Sequence, residues 1–235
     1  MTEIGATLYQ RFGSIHKRRL VTVSALAVGV VVMLGLDLWA GPAGLAFSDI
    51  VLGLIDPQQL ELRHRIILWD VRLPDALIAL VVGAALGLAG IETQTILDNP
   101  LASPFTLGVS SAAVLGASLA IVVVPVVPFF AEAAVLPMMA LLFALGSGVL
   151  ILMIVRWSNG ARETVVLFGI ALVFLCNALT AGLQYIASAE AVQQIVFWTI
   201  GNLTRAGWPE VAMVGACFVC VLPFSLRHVW VMTLL

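Results

Sequence analysis

Charge is what this sequence has least of. Only 10% of its 235 residues are Asp, Glu, Lys or Arg, against 62% hydrophobic, and the mean hydropathy is +1.12. Soluble domains carry about 25% charged residues, so the composition excludes that class and indicates an integral membrane protein. The net charge of -2 says nothing about partners, and no basic tract suggests nucleic acid. Cysteine is scarce too: Cys176, Cys217 and Cys220 all lie in apolar runs. Cys217-x-x-Cys220 has no second pair beside it, so it reads as small apolar filler rather than a metal or redox site. His16, His64 and His228 lie outside the apolar runs or at an end, which leaves Ser110 and Ser111 without the base a serine nucleophile needs. No His-Glu-x-x-His helix, phosphate-binding loop or paired intramembrane carboxylates occur. No catalytic residue, cofactor or metal site is therefore expected.

What is present is a series of apolar runs: Leu20 to Leu38, Ala76 to Ile91, Phe105 to Val127, Ala133 to Val155, Thr164 to Ala187 and Val211 to Leu226. Each approaches the ~20 residues that a helix rising 1.5 Å per residue needs to cross ~30 Å of hydrocarbon. The expected fold class is all-α: a polytopic transmembrane helical bundle of about six spans. A seventh run, Ala191 to Gly201, is too short to cross and contains Gln193 and Gln194, so it reads as a re-entrant or interfacial helix packed on protein. Residues 1–19 would be a cytoplasmic N-terminus and residues 20–235 a transmembrane domain, with an outer loop over 39–71. That loop reads equally as a solvated connector or a surface that receives a partner.

Orientation follows from Lys and Arg, which cytoplasmic loops retain. With the N-terminus inside, the inner segments hold Arg11, Lys17, Arg18, Arg19, Arg156, Arg162 and Arg227, and the outer ones Arg63, Arg65, Arg72 and Arg205. A secretory signal also begins basic and apolar, but Leu20 to Leu38 is longer than such a run usually is, so a retained first helix is expected.

Three patterns stand out. Gly83-x-x-x-Gly87 followed by Gly90 lets helix backbones approach closely in lipid, so the second span is expected to be buried among others. Polar Asp98-Asn99-Pro100 then breaks the chain, and Pro100 and Pro104 push Asn99 and Ser103 toward extended geometry. A broken backbone is tolerated near the membrane only where protein or water satisfies it, which makes Asp98 to Ser111 a candidate constriction. Asn177, Thr180 and Gln184 share one face of the fifth span, suited to interhelical hydrogen bonds or to lining a path.

Together these residues resemble the FecCD-type permease subunits of ABC importers for iron-siderophores, haem and cobalamin. The matching stretches are Arg72-Leu73-Pro74, Val82-Gly83-Ala84-Ala85-Leu86, Gly90 with Gln94, Asn99-Pro100-Leu101-Ala102-Ser103-Pro104 and Leu107-Gly108-Val109-Ser110-Ser111. Phe168 to Leu172, Ala178-Leu179-Thr180, Val196 to Leu203 and Trp208 follow in order.

The resemblance implies a permease in the cell (inner) membrane that dimerises, identically or not, around a translocation path. Cytoplasmic ATPase subunits would drive it and an extracytoplasmic substrate-binding protein would feed it. Family members dock the binding protein through an Arg-x-Pro-Arg turn. Arg72 matches its first arginine, but Asp75 stands at the second, a charge reversal that should weaken docking to an acidic lobe. Asp98 stands where an arginine is usual, and Ala112 where a glycine is. Gln94, Asn99, Ser103 and Ser110 are candidates for the path or its inner mouth, with Asn177, Thr180 and Gln184 as a polar helix face. The family's Leu-Gly-Glu coupling helix would begin just where Leu235 ends the chain, so a fragment or truncated form unable to transport alone is expected. The competing readings are a secondary transporter or channel, which also uses broken helices, and an inert assembly subunit.

Overall fold

A computed structural model describes residues 3–40, 44–123, 132–204 and 206–232. Nine α-helices are described: α1 (Glu3–Trp39), α2 (Phe47–Ile55), α3 (Leu62–Ile66), α4 (Leu73–Leu97), α5 (Val109–Val123), α6 (Glu132–Trp157), α7 (Arg162–Ile186), α8 (Ala189–Ile200) and α9 (Trp208–Met232). Five helical stretches are long and apolar enough to cross a membrane: Lys17–Trp39, Leu62–Leu97, Val135–Trp157, Arg162–Ile186 and Trp208–His228. The third predicted span starts later than expected, at Val109 rather than Phe105, because Thr106 to Gly108 form turns before it, and it is described as helix to Val123. Its expected end at Val127, like Arg205 of the charge count, lies outside the described residues.

Two compact units divide the chain, Met1–Ala79 with Ala206–Ala212, and Leu80–Arg205 with Met213–Leu235. In the first unit the expected outer loop over 39–71 is mostly helical. α2 is followed by a single 3-10 turn at Pro57–Gln59, and the helix that continues as α4 already begins at Leu62 rather than Ala76. Proline explains the irregular part of that helix. Pro74 has no N–H to give the carbonyl four residues back and its ring crowds that carbonyl. The backbone widens into a π-turn over Ile67–Arg72 immediately before it, and the helix runs through instead of starting there. Leu38, Leu45, Ile50, Leu68 and Ala76 form this unit's core. Trp69 ties it together: its indole N–H donates to the Gly53 carbonyl at 3.0 Å, and its own carbonyl accepts the Trp208 indole N–H at 2.9 Å. The two indoles lie 6.3 Å apart between centroids.

The second unit is built around α5. Ser111, Ala112, Leu115, Gly116, Ala117, Ser118, Ala120 and Ile121 are buried, leaving almost no free side to this helix among α6, α7 and α8. Small residues make that possible. A Cβ on Gly116 would collide with the Met139 carbonyl and come within 2.9 Å of the Phe143 side chain, and one on Gly169 would lie 2.9 Å from the Leu107 Cα. These glycines, not those of the Gly83-x-x-x-Gly87 pattern, bring backbones together. Among the described residues nothing lies within 4 Å of a Cβ on Gly83, Gly87 or Gly90, and Leu86 and Ile91 are exposed. The expectation that the second span is the buried one is thus corrected: within this chain the small-residue helix that is enclosed is α5. α8 is the short helix expected over Ala191 to Gly201, capped by Ser188, ended by Gly201 at φ 78°, and packed on α5 through buried Ile195.

Candidate functional site

The Arg72 region belongs to the first unit. Arg72 closes the π-turn, and its guanidinium reaches back 3.5 Å to the Asp37 carbonyl near the end of α1. Asp75 follows three residues later on the same helix, and both side chains are half-buried. Asp37, Arg72 and Asp75 therefore lie within electrostatic reach of one another, a mixed-charge patch rather than the doubly basic one that the family's turn would present. Nearby, His64 Nδ1 lies 3.6 Å from an Asp49 carboxylate oxygen.

In the second unit the chain break is a compact series of turns that satisfies itself. Asp98 sits at φ 48°, in the left-handed region that Asp and Asn tolerate better than most side chains. Asn99 Oδ1 accepts the Leu101 N–H at 2.9 Å, and Ser103 Oγ accepts the Thr106 N–H at 3.2 Å. Thr106 Oγ1 accepts the Ser103 N–H and donates to the Ser103 carbonyl, both at 2.9 Å. Asn99 and Ser103 thus hold backbone in place, as short polar side chains do in turns. Beneath them Leu97, Ala102 and Val165 form a small core. Gln94 is exposed and Ser110 half-buried. Gly108, at φ 86°, packs its α-carbon region against Leu172 and the Gly169 carbonyl.

An ion pair not anticipated from the sequence closes this turn: Arg162 Nη1 donates to Asp98 Oδ2 at 2.8 Å. The unusual Asp98 was visible in the sequence, but its partner is 64 residues away and only folding joins them. Both side chains are substantially exposed, at 40% and 79%. A pair so exposed contributes about 0–1 kcal/mol. Asp98→Asn, which keeps the left-handed tolerance, is therefore expected to change unfolding free energy by less than about 1 kcal/mol. Asp98→Val should cost more, because a β-branched residue resists that backbone. Equal costs in a denaturation series would show that the ion pair, not the backbone, sets the price.

The polar stripe of α7 is divided. Thr180 is buried, Gln184 half-buried and Asn177 exposed, because the enclosed edge of α7 runs through Val165, Gly169, Leu172, Cys176 and Thr180. Asn177 to Gln184 begin 15 or more residues beyond Arg162, which at 1.5 Å per residue is more than about 20 Å along the helix. The structure does not bring this stripe together with the Asn99 and Ser103 turn; Ser110 lies between them, where α5 begins against Gly169 and Leu172. Among the described residues Thr180 Oγ1 is buried without a hydrogen-bond partner. An orphan hydroxyl costs about 1–3 kcal/mol. Thr180→Val keeps the shape and removes the hydroxyl, so it should leave stability unchanged or raise it by up to about 1 kcal/mol in a detergent unfolding titration. A clear loss would mean that the hydroxyl has a partner.

Five helical stretches long and apolar enough to cross a bilayer, with a self-satisfied break between α4 and α5, define a multi-pass membrane protein. A match to the FecCD transport family covers residues 12–235. The chain belongs to that family. It is 31% identical to the Fe(3+)-citrate import system permease protein of Bacillus subtilis, over 88% of this chain and 60% of that one. It is 32% identical to the hemin transport system permease protein of Yersinia pestis, over 66% of this chain and 47% of that one. A solved structure assigned as a metal-chelate type ABC transporter, in an inward-facing conformation, superposes with a TM-score of 0.73 at 28% identity, covering 91% of this chain and 63% of that one. The chain thus spans about half to two thirds of the length of the relatives it matches.

Proposed function

We propose that this chain is a transmembrane permease subunit of an ATP-binding-cassette importer and forms part of the translocation path for a metal chelate of iron-siderophore, haem or cobalamin type. The observation that carries the proposal is the match to a transport family over residues 12–235, whose relatives include permeases named for hemin and for Fe(3+)-citrate. The chain's contribution is passage, not chemistry: ATP hydrolysis belongs to separate cytoplasmic ATPase subunits, and substrate arrives on an extracytoplasmic binding protein. A second permease subunit would face the uncovered Gly83 to Gly90 side of α4. In this reading residues 1–19 lie in the cytoplasm, residues 20–235 form the permease domain in the cell (inner) membrane, and Arg72 and Asp75 meet the binding protein. Gln94, Ser110, Asn177 and Gln184 keep accessible polar groups for the path, while Asn99 and Ser103 position its inner mouth.

Proteoliposomes holding the chain with its ATPase pair and binding protein provide the test. ATP-dependent uptake of a labelled ferric siderophore, haem or cobalamin is expected. Uptake driven by an ion gradient in the absence of ATP would overturn the assignment.

A further inference from the structure

α2 packs only part of its surface. Ile50 is 4% exposed within the core of the first unit, and a Cβ on Gly53 would collide with Leu60 and come within 2.7 Å of Leu68. Phe47, Val51, Leu52, Leu54 and Ile55 are instead 65%, 41%, 42%, 45% and 80% exposed. With 3.6 residues per turn these five span an arc about 160° wide, and Asp49 lies outside it, against His64. A helix of nine residues with five large apolar side chains uncovered needs an apolar phase.

The position of α2 says which phase that is. It joins the ends of two spans, with six residues between Ile55 and Leu62 and seven between Trp39 and Phe47, too few to carry it far from either. Ile50 shares a core with Leu38 of α1 and Leu68, and the Gly53 carbonyl is held by the Trp69 indole. Trp69 stands one helical turn, about 5 Å, before Arg72, where Asp37, Arg72 and Asp75 gather. Charges at span ends mark the edge of the hydrocarbon, and the headgroup layer adds about 5–8 Å on each side. α2 is pinned within that layer. The helices it joins expose large apolar side chains near the same ends, Leu36 and Trp39 before it and Leu62, Ile66 and Val71 after it.

We propose that α2 lies in the plane of the bilayer interface, with Phe47, Val51, Leu54 and Ile55 in the boundary between headgroups and acyl chains and Asp49 on the side held against His64. Such a helix anchors the connection between the first two spans, and it makes the segment a lipid-bound platform beside Arg72 rather than a solvated loop. The inference rests on the membrane-spanning reading of α1 and α4 and not on transport.

Nitroxide labels placed singly at Val51, Leu54 and Asp49, in the full chain with its three cysteines replaced by alanine and reconstituted in phosphatidylcholine–phosphatidylglycerol vesicles, test this. Collision with oxygen should exceed collision with a nickel chelate severalfold at Val51 and Leu54, while at Asp49, on the side packed against His64, collision with both should be lower. Nickel-dominated collisions at Val51 and Leu54 would place α2 in water and overturn the proposal. Low collision with both reagents at Val51 and Leu54 would show a protein occupant and overturn it equally. Phe47→Trp supplies a second measurement with a milder change. Its added fluorescence should be quenched at least twofold more by lipids brominated near the headgroup than by lipids brominated at the chain end, and equal or absent quenching would refute interfacial placement.

Discussion

Gly116→Leu is expected to destabilise the folded bundle more than any other single change considered for α4 or α5. α5 is the enclosed helix of its unit, and at Gly116 its backbone lies against the Met139 carbonyl and the Phe143 side chain of α6, so a side chain has no volume to enter. Rearranging side chains cannot solve this, because one obstacle is backbone; the two helices must separate. Over-packing a well-filled core typically costs about 1–3 kcal/mol, and separation of two helices should exceed the upper figure. Against a total stability of about 5–15 kcal/mol that loss removes a large share of the margin, and a bundle near the lower figure would populate unfolded protein. The comparison is Gly87→Leu on α4, where a Cβ meets nothing within 4 Å among the described residues. It should shift unfolding by less than about 1 kcal/mol in the isolated chain, since replacing glycine in a helix slightly favours the helix. Size-exclusion profiles in detergent combined with thermal unfolding measure both. Equal behaviour of the two variants would remove the close α5–α6 approach from the account.

Arg72→Glu should be the most damaging change to capture of the binding protein. It replaces the one cation of the Asp37, Arg72 and Asp75 patch with a third carboxylate. Loss of one partner of a charge pair at an interface costs about 2–5 kcal/mol, so capture should weaken roughly thirtyfold or more at low salt. The loss should shrink as added salt screens the patch. Folding should be little affected, because the hydrogen bond surrendered is a long one of 3.5 Å to the Asp37 carbonyl. Asp75→Arg supplies the sign: tighter capture would indicate an acidic partner surface, weaker capture a partner that already presents a cation to Asp75. Capture unchanged in Arg72→Glu, with insertion intact, would eliminate the docking role.

Much of this was readable along the chain. Apolar runs near twenty residues located the spans, because a bilayer imposes one length on every helix that crosses it. The Asn99-Pro100 break, the short helix before Gly201 and the family resemblance all depend on residues close together in sequence. The misplaced features depend on what lies across from a residue. Gly83-x-x-x-Gly87 and Gly116 look alike as patterns, yet only Gly116 has a backbone opposite it. The second apolar run is expected from Ala76, but the π-turn before Pro74 lets the helix run through from Leu62. Asn99 and Ser103, candidates for the path or its inner mouth, have side chains engaged by the backbone of their own turns, which their neighbours in sequence alone do not reveal.

The sequence by itself determined that this chain lives in a membrane, how many runs could cross it, where the backbone must break and which family it joins, since hydropathy, proline geometry and ordered motifs are properties of the chain alone. Only the tertiary structure decided which small-residue helix is enclosed, that Asp98 finds Arg162, that Thr180 is buried while Asn177 is not, and that one face of α2 is uncovered. Those are facts about neighbours, and in a bundle where nearly every face is apolar, hydrophobicity does not choose neighbours; close packing and the few polar groups do.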